Sequence, residues 1–141
     1  MKVVYLCPTG TCSSLVAAHL HLGNLNKNAT INEILNLPNF SRNHKQIGLS
    51  FYIGQDDKER EIYTLGVANE AKIMEISARD LVALFGKKID IQYVDVSKFV
   101  PNYYLWCSAI MPKKAIAKII KDNLVEIYNI IETSIINRDY H

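Results

Sequence analysis

Lys2–Cys7 (KVVYLC) is a six-residue run, almost wholly apolar and rich in β-branched and aromatic residues. A run of that kind is a strand covered on both faces, which is the property of strands in parallel sheets flanked by helices. The segments that follow alternate in the same sense. CSSLVAAHLHLG reads as a helix capped at Cys12 or Ser13, with Leu15, Ala18, His19 and Leu22 on one face and Gly23 closing it. NATINEILNLP predicts a short helix, with Thr30 and Glu33 as a capping box and Pro38 ending the stretch. Ile47–Gly54 and Glu61–Gly66 read as a β-hairpin whose charged tip, Asp56 to Arg60, is expected in solvent. From Asn69 to Gly86 the spacing of Ile73, Ile76, Leu81 and Leu84 predicts a helix with those residues supplying its apolar face.

Ile89–Val96 is expected to be a strand and Val100–Pro112 a loop with a short helix. Ala115–Ile120 fits either a buried strand or the start of a long helix, and Asn123–Asn137 is helical. Strands alternating with helices imply a three-layer α/β domain with a mostly parallel sheet plus a β-hairpin. At 141 residues, without linker, repeat or low-complexity tract, the chain is expected to be a single domain spanning 1–141.

Bulk composition excludes several classes. A net charge of +2 with no basic run makes no case for nucleic acid, and no apolar run is long enough for a membrane span. The apolar run at the N-terminus is too short for a signal-peptide core, so a cytoplasmic protein is expected. Three cysteines do not form a disulfide framework. Cys7, Cys12, His19 and His21 are near in sequence but no second cluster completes a zinc set, so no metal is expected. No cofactor motif is present.

Between the first strand and the first helix stands CPTGTCSS, Cys7 to Ser14, and here the chemistry concentrates. Such a junction offers unpartnered backbone N–H groups together with the positive end of a helix dipole, which makes it an anion site. Gly10 permits a tight turn around a ligand, and Thr9, Thr11, Ser13 and Ser14 supply hydroxyl donors. The same field lowers the pKa of Cys7 or Cys12 and favours a thiolate, a nucleophile beside its own oxyanion cradle. Gly and Ser are also common at such turns in proteins that bind nothing there, and Cys7 fits a small core residue equally.

No G-x-x-x-x-G-K-[ST] and no G-x-G-x-x-G occurs, and Ser13 stands where a C-x5-R loop would have Arg. Without that Arg nothing charged clamps a phosphoryl transition state, which disfavours phosphatase chemistry.

CPTGTCSSLVAA (Cys7–Ala18) resembles the phosphocysteine loop of enzyme IIB components of the sugar phosphotransferase system, fructose type. That resemblance implies a phosphoryl-accepting role for Cys7 and a backbone cradle at Gly10, Ser13 and Ser14. Over nearly its whole length, through stretches such as GTCSSLVAAHLHLGNL, GQDDKEREIYTLG and IIKDNLVEIYNIIE, the chain is similar to a small bacterial family known as a domain of unknown function. That likeness implies the fold and a cytoplasmic setting and supplies no activity.

The remaining candidates divide between ligand contact and structure. Asp95 ends a strand and Asn102 follows it; both suit a ligand contact, and equally a turn or cap. Tyr103, Tyr104 and Trp106 form an aromatic cluster suited to stacking, core packing or a dimer contact. His19 is expected to be a packing residue rather than a base. The expected function is binding of a phosphorylated or otherwise anionic small molecule, a nucleotide or phosphometabolite, at Cys7–Ser14, with Thr9 through Ser14, Asp95 and Asn102 as ligand contacts. The alternatives are a thiol-dependent enzyme or phosphoryl carrier with Cys7 as nucleophile, and an interaction module using Tyr103–Trp106. Expected partners are the anionic small molecule, with no nucleic acid and no membrane; a homodimer is admitted.

Overall fold

The computed structural model of the chain describes residues 1–41, 47–86, 88–101, 103–107 and 110–139. Lys2–Cys7 forms β1 and lies between two parallel partners, as its apolar character on both faces requires. The other strands are β2 (Ser50–Gln55), β3 (Glu61–Gly66) and β4 (Ile91–Asp95), in the order β2-β3-β1-β4. β1 runs parallel to β3, with Lys2 opposite Glu61 and Cys7 opposite Gly66. It also runs parallel to β4, where Leu6 faces Asp95. β2 and β3 form the expected antiparallel hairpin, with an irregularity between Tyr52 and Gly54. The sheet is therefore mixed and mostly parallel, and the fold is α/β.

Helices α1 (Ser13–His21), α2 (Ile31–Leu35), α3 (Ala71–Leu84), α4 (Tyr104–Cys107), α5 (Lys113–Asp122) and α6 (Leu124–Asp139) complete the chain. Thr30 and Glu33 make the predicted capping box at the start of α2. The two readings left open for Ala115–Ile120 resolve to helix. Ile116, Ala117 and Ile120 recur at helical spacing and are buried, so the run presents one covered face.

Alternation along β1 divides the core. Val3, Tyr5 and Cys7 point to one side, where Ile62 and Val94 of the neighbouring strands join Leu15 and Val16 of α1, Ile116 and Ile120 of α5, and Ile127 of α6. Val4 and Leu6 point to the other side, into a small cluster with Val67 and Ala71 against which Met74 of α3 packs. The layers are thus unequal: several helices on one face and α3 on the other.

Two expectations are corrected here. Ile73, Ile76, Leu81 and Leu84 do not supply the buried face of α3; they are 62%, 49%, 54% and 81% exposed. The row that meets the sheet starts at Ala71 and Met74, so α3 is apolar on both sides and periodicity could not say which was inward. The hairpin tip is a solvated charge cluster only in part: Asp57, Lys58 and Glu59 are exposed, but the Asp56 and Arg60 side chains are buried. His21 Nε2 lies 2.9 Å from Asp56 Oδ2, and Arg60 Nε donates to the same oxygen at 2.6 Å. The His21 and Asp56 side chains are each 4% exposed. Tyr5 Oη lies 2.8 Å from His21 Nδ1, so a neutral His21 that donates to Asp56 accepts from Tyr5. Buried charge needs such partners, and the network pins the hairpin to α1 and β1.

Among the described residues, no helix is long and apolar enough to cross a membrane.

Candidate functional site

β1 passes through its loop to α1 on one face of the sheet, while β3, its neighbour, passes through Val67 to α3 on the other. The carboxyl ends of β1 and β3, Cys7 and Gly66, therefore flank a topological switch point, the place where open α/β sheets form a crevice. The Cys7–Ser14 loop fills that place. Gly10 takes φ +76°, and a Cβ built on it would lie 2.7 Å from the backbone N of Gly66. A Cβ on Gly66 would lie 2.8 Å from the carbonyl carbon and oxygen of Thr9. Two glycines thus let loop and strand end meet backbone to backbone.

The loop is folded on its own thiols. Gly10 N donates to Cys7 Sγ at 3.2 Å, and Ser14 Oγ lies 3.0 Å from the same sulfur. Thr9 Oγ1 donates to Cys12 Sγ at 3.4 Å and receives the Thr11 hydroxyl at 3.2 Å. Ser13 Oγ donates to the Val96 carbonyl at 2.8 Å, tying the loop to the end of β4. Every residue from Cys7 to Ser14 is buried, with Cys7, Cys12, Ser13 and Ser14 at 0% exposure and Thr11 at 6%. The hydroxyls expected to await a ligand are thus engaged within the protein, because a buried hydroxyl must find a partner. Cys12, the residue before α1, makes no side-chain bond to the first turn, and Ser13 and Ser14 bond elsewhere. Among the described residues, no side chain caps the first-turn amides of α1.

Both cysteines of the loop are free thiols. Burial pushes the Cys12 thiol up to about 11, with the nearby Cys7 adding to the effect against hydrogen bonds from Thr9, Tyr104 and Ser41. Burial therefore works against a Cys12 thiolate at this helix terminus.

Tyr104 is 1% exposed and shares a hydrogen bond with Ser41, whose backbone N donates to the Thr11 carbonyl at 2.9 Å. Tyr103 is 59% exposed. The aromatic cluster is therefore split: Tyr104 supports the loop while Tyr103 faces outward, and the Trp106 side chain and Asn102 lie outside the described residues.

Asp95 is not brought to the loop. It pairs with Leu6, on the face of the sheet opposite Cys7, and its Oδ1 accepts the Ser97 N–H at 2.9 Å as a turn-forming group.

Beside the loop opens a cleft of about 490 Å³, lined by Gly10, Thr11, Leu15 and His19, by Pro38 and Asn39, by Phe51 to Ile53 of β2, and by Thr64 of β3. Sequence reasoning did not find it, because its walls come from four separate stretches of chain. Asn24 Nδ2 donates to His19 Nδ1 at 3.1 Å, and burial lowers the pKa of the imidazole, so His19 stands in the cleft as a neutral ring. Among the described residues, no group of three or more His, Cys, Asp or Glu side chains converges as a metal site would require.

No curated protein and no solved structure matches the chain. Residues 2–132, from the start of β1 into α6, match a family described as Protein of unknown function (DUF3189), and the chain belongs to that family.

Proposed function

We propose that the protein binds a phosphorylated or otherwise anionic small molecule, a nucleotide or phosphometabolite, with the anionic group at the N-terminus of α1. The observation that carries this reading is the placement of that terminus. Its first-turn amides have no capping side chain among the described residues, stand at the switch point between Cys7 and Gly66, and adjoin a cleft through Gly10 and Thr11. Amides so placed, with the helix dipole behind them, favour negative charge. Among the described residues no Lys or Arg lines the cleft, so the amides would carry the anion's recognition and the body of the ligand would lie along the neutral walls.

Titrating inorganic phosphate into isotopically labelled protein tests it. The amide signals of Ser13, Ser14 and Leu15 are expected to move saturably, and to move in Cys7→Ser as well. Unmoved amides refute the reading, and loss of the response in Cys7→Ser transfers the role to the thiol.

A second reading, a thiol-dependent enzyme or phosphoryl carrier, is favoured by one observation: the Gly10 N–H and the Ser14 hydroxyl both converge on Cys7 Sγ. Those contacts would stabilise a thiolate, and the likeness of Cys7–Ala18 to the phosphocysteine loop supports the same role. With Cys7 at 0% exposure, the loop must open for it to react. Alkylation by iodoacetamide, mapped by peptide mass, decides this. The thiol reading requires Cys7 to react by about pH 8, while Cys12, held near 11, stays unmodified as an internal reference.

A further inference from the structure

The cleft contains one polar atom that the fold leaves unsatisfied. Thr64 is 0% exposed, lines the cleft, and its Oγ1 has no hydrogen-bond partner among the described residues. Buried hydroxyls are paired in the great majority of cases, so a lone one in a cavity wall marks a place where something else supplies the partner. Around it the lining is of two kinds. Leu15, Pro38, Phe51 and Ile53 offer apolar surface, whereas Thr64 and His19 offer hydrogen bonds. With Nδ1 of His19 held by Asn24, Nε2–H is the polar atom the imidazole has left to offer. Among the described residues no carboxylate, Lys or Arg lines the cleft, and its 490 Å³ falls within the range of small-molecule sites. A molecule with apolar faces and a hydrogen-bonding edge, and without charge, matches that lining.

We propose that this cleft is a binding site for a neutral heteroaromatic ring, seated against Phe51 and Leu15 and hydrogen-bonded at its edge by His19 and by the Thr64 hydroxyl, which at 0% exposure the cleft wall must shift to uncover. The site rests on the cleft walls and not on the loop reading: a ring binds there whether or not the α1 terminus takes an anion.

The test uses the full chain with benzimidazole and adenosine as neutral heteroaromatic probes, benzene as a ring without a polar edge, and inorganic phosphate in a separate arm. Benzimidazole or adenosine is expected to shift the amide signals of Thr64, Phe51 and His19, and to bind more tightly than benzene. Thr64→Val keeps the shape and removes the hydroxyl; it is expected to weaken the better heteroaromatic probe about tenfold, the equivalent of one hydrogen bond. Thr64→Ser is expected to retain most of the affinity. Because the hydroxyl has no partner among the described residues, Thr64→Val is also expected to raise the melting temperature by about 3 °C.

The proposal is overturned if neither heteroaromatic probe moves those amides at millimolar concentration, or if benzene binds as well as they do. It is equally overturned if Thr64→Val leaves affinity unchanged or lowers the melting temperature, since the latter reveals a structural partner for the hydroxyl. The phosphate arm reads the Ser13–Leu15 amides alone, so failure there bears on the anion site and not on the cleft.

Discussion

Replacing Gly10 by Ala isolates the contact that holds the Cys7–Ser14 loop against the sheet. Gly10 has φ +76° and Gly23 has φ +77°, so alanine meets the same backbone penalty at both. That penalty is about 1–2 kcal/mol for an L-residue in the left-handed region. The surroundings differ. Nothing lies within 4 Å of a Cβ on Gly23, whereas a Cβ on Gly10 falls 2.7 Å from the Gly66 N and 3.2 Å from the Leu65 carbonyl carbon. Those neighbours are backbone in the sheet and cannot rotate away, so the loop itself must shift, at about 1–3 kcal/mol for a forced overpacking. Gly10→Ala is therefore expected to cost about 2–5 kcal/mol and Gly23→Ala about 1–2. Gly66→Ala reports the contact from the other side without a positive φ, since its Cβ would meet the Thr9 carbonyl at 2.8 Å. The cost at Gly10 should thus be close to the sum of the costs at Gly23 and Gly66. Urea unfolding of the three variants, with comparable m-values, measures this. A Gly10→Ala cost within about 0.5 kcal/mol of Gly23→Ala would show that the loop is not packed on Gly66 as described, and would refute the reasoning.

Acid should act through the buried hairpin network. Burial pushes the Asp56 carboxyl up, but hydrogen bonds from the Arg60 backbone and side chain, His21 and Lys58 outweigh it and hold the group at about 2 against an ordinary 3.8. Its folded pKa is depressed, so its stabilisation, about 2 kcal/mol, is fully present above 3.8 and is lost as pH falls through about 2. Burial also lowers His21 from 6.5, which favours the folded state above that value and adds a loss below it. Unfolding free energies across this range should fall more steeply in the wild type than in Asp56→Asn; equal slopes would remove Asp56 from the account. On α3, Ile73→Ser and Leu84→Ser should each change stability by less than about 0.5 kcal/mol, while Ile127→Ala, in the core, should cost about 2–5. A serine on α3 as costly as Ile127→Ala would mean that this row is covered in solution.

Much of the fold was legible locally. KVVYLC announces a doubly covered strand because five consecutive apolar residues, Val3 to Cys7, suit no other position in a small α/β domain. The box of Thr30 and Glu33 is equally plain, since both partners lie within one turn. Ala115–Ile120 was not legible as helix or strand, because a short apolar run satisfies both periods until its neighbours choose. The charged tip read as solvated because Asp56 and Arg60 are polar in composition, and only the arrival of His21 from α1 shows why they are buried. Ser14 was named as a loop donor, and its contact with Cys7 makes the sulfur its partner. Thr64 carried no signal at all: a threonine in a strand is ordinary until the wall it stands in is known.

The order of strand, loop and helix, the caps and the concentration of thiols and hydroxyls at Cys7–Ser14 follow from the sequence by itself, because each depends on residues within a turn or two of one another. The tertiary structure decided which side of α3 is inward, that Gly66 stands against Gly10, that Asp95 faces away from Cys7, and that Thr64, in a cleft wall, finds no partner among the described residues. These depend on strand register and helix placement across separations of tens of residues, and a one-residue slip would turn each side chain to the opposite face.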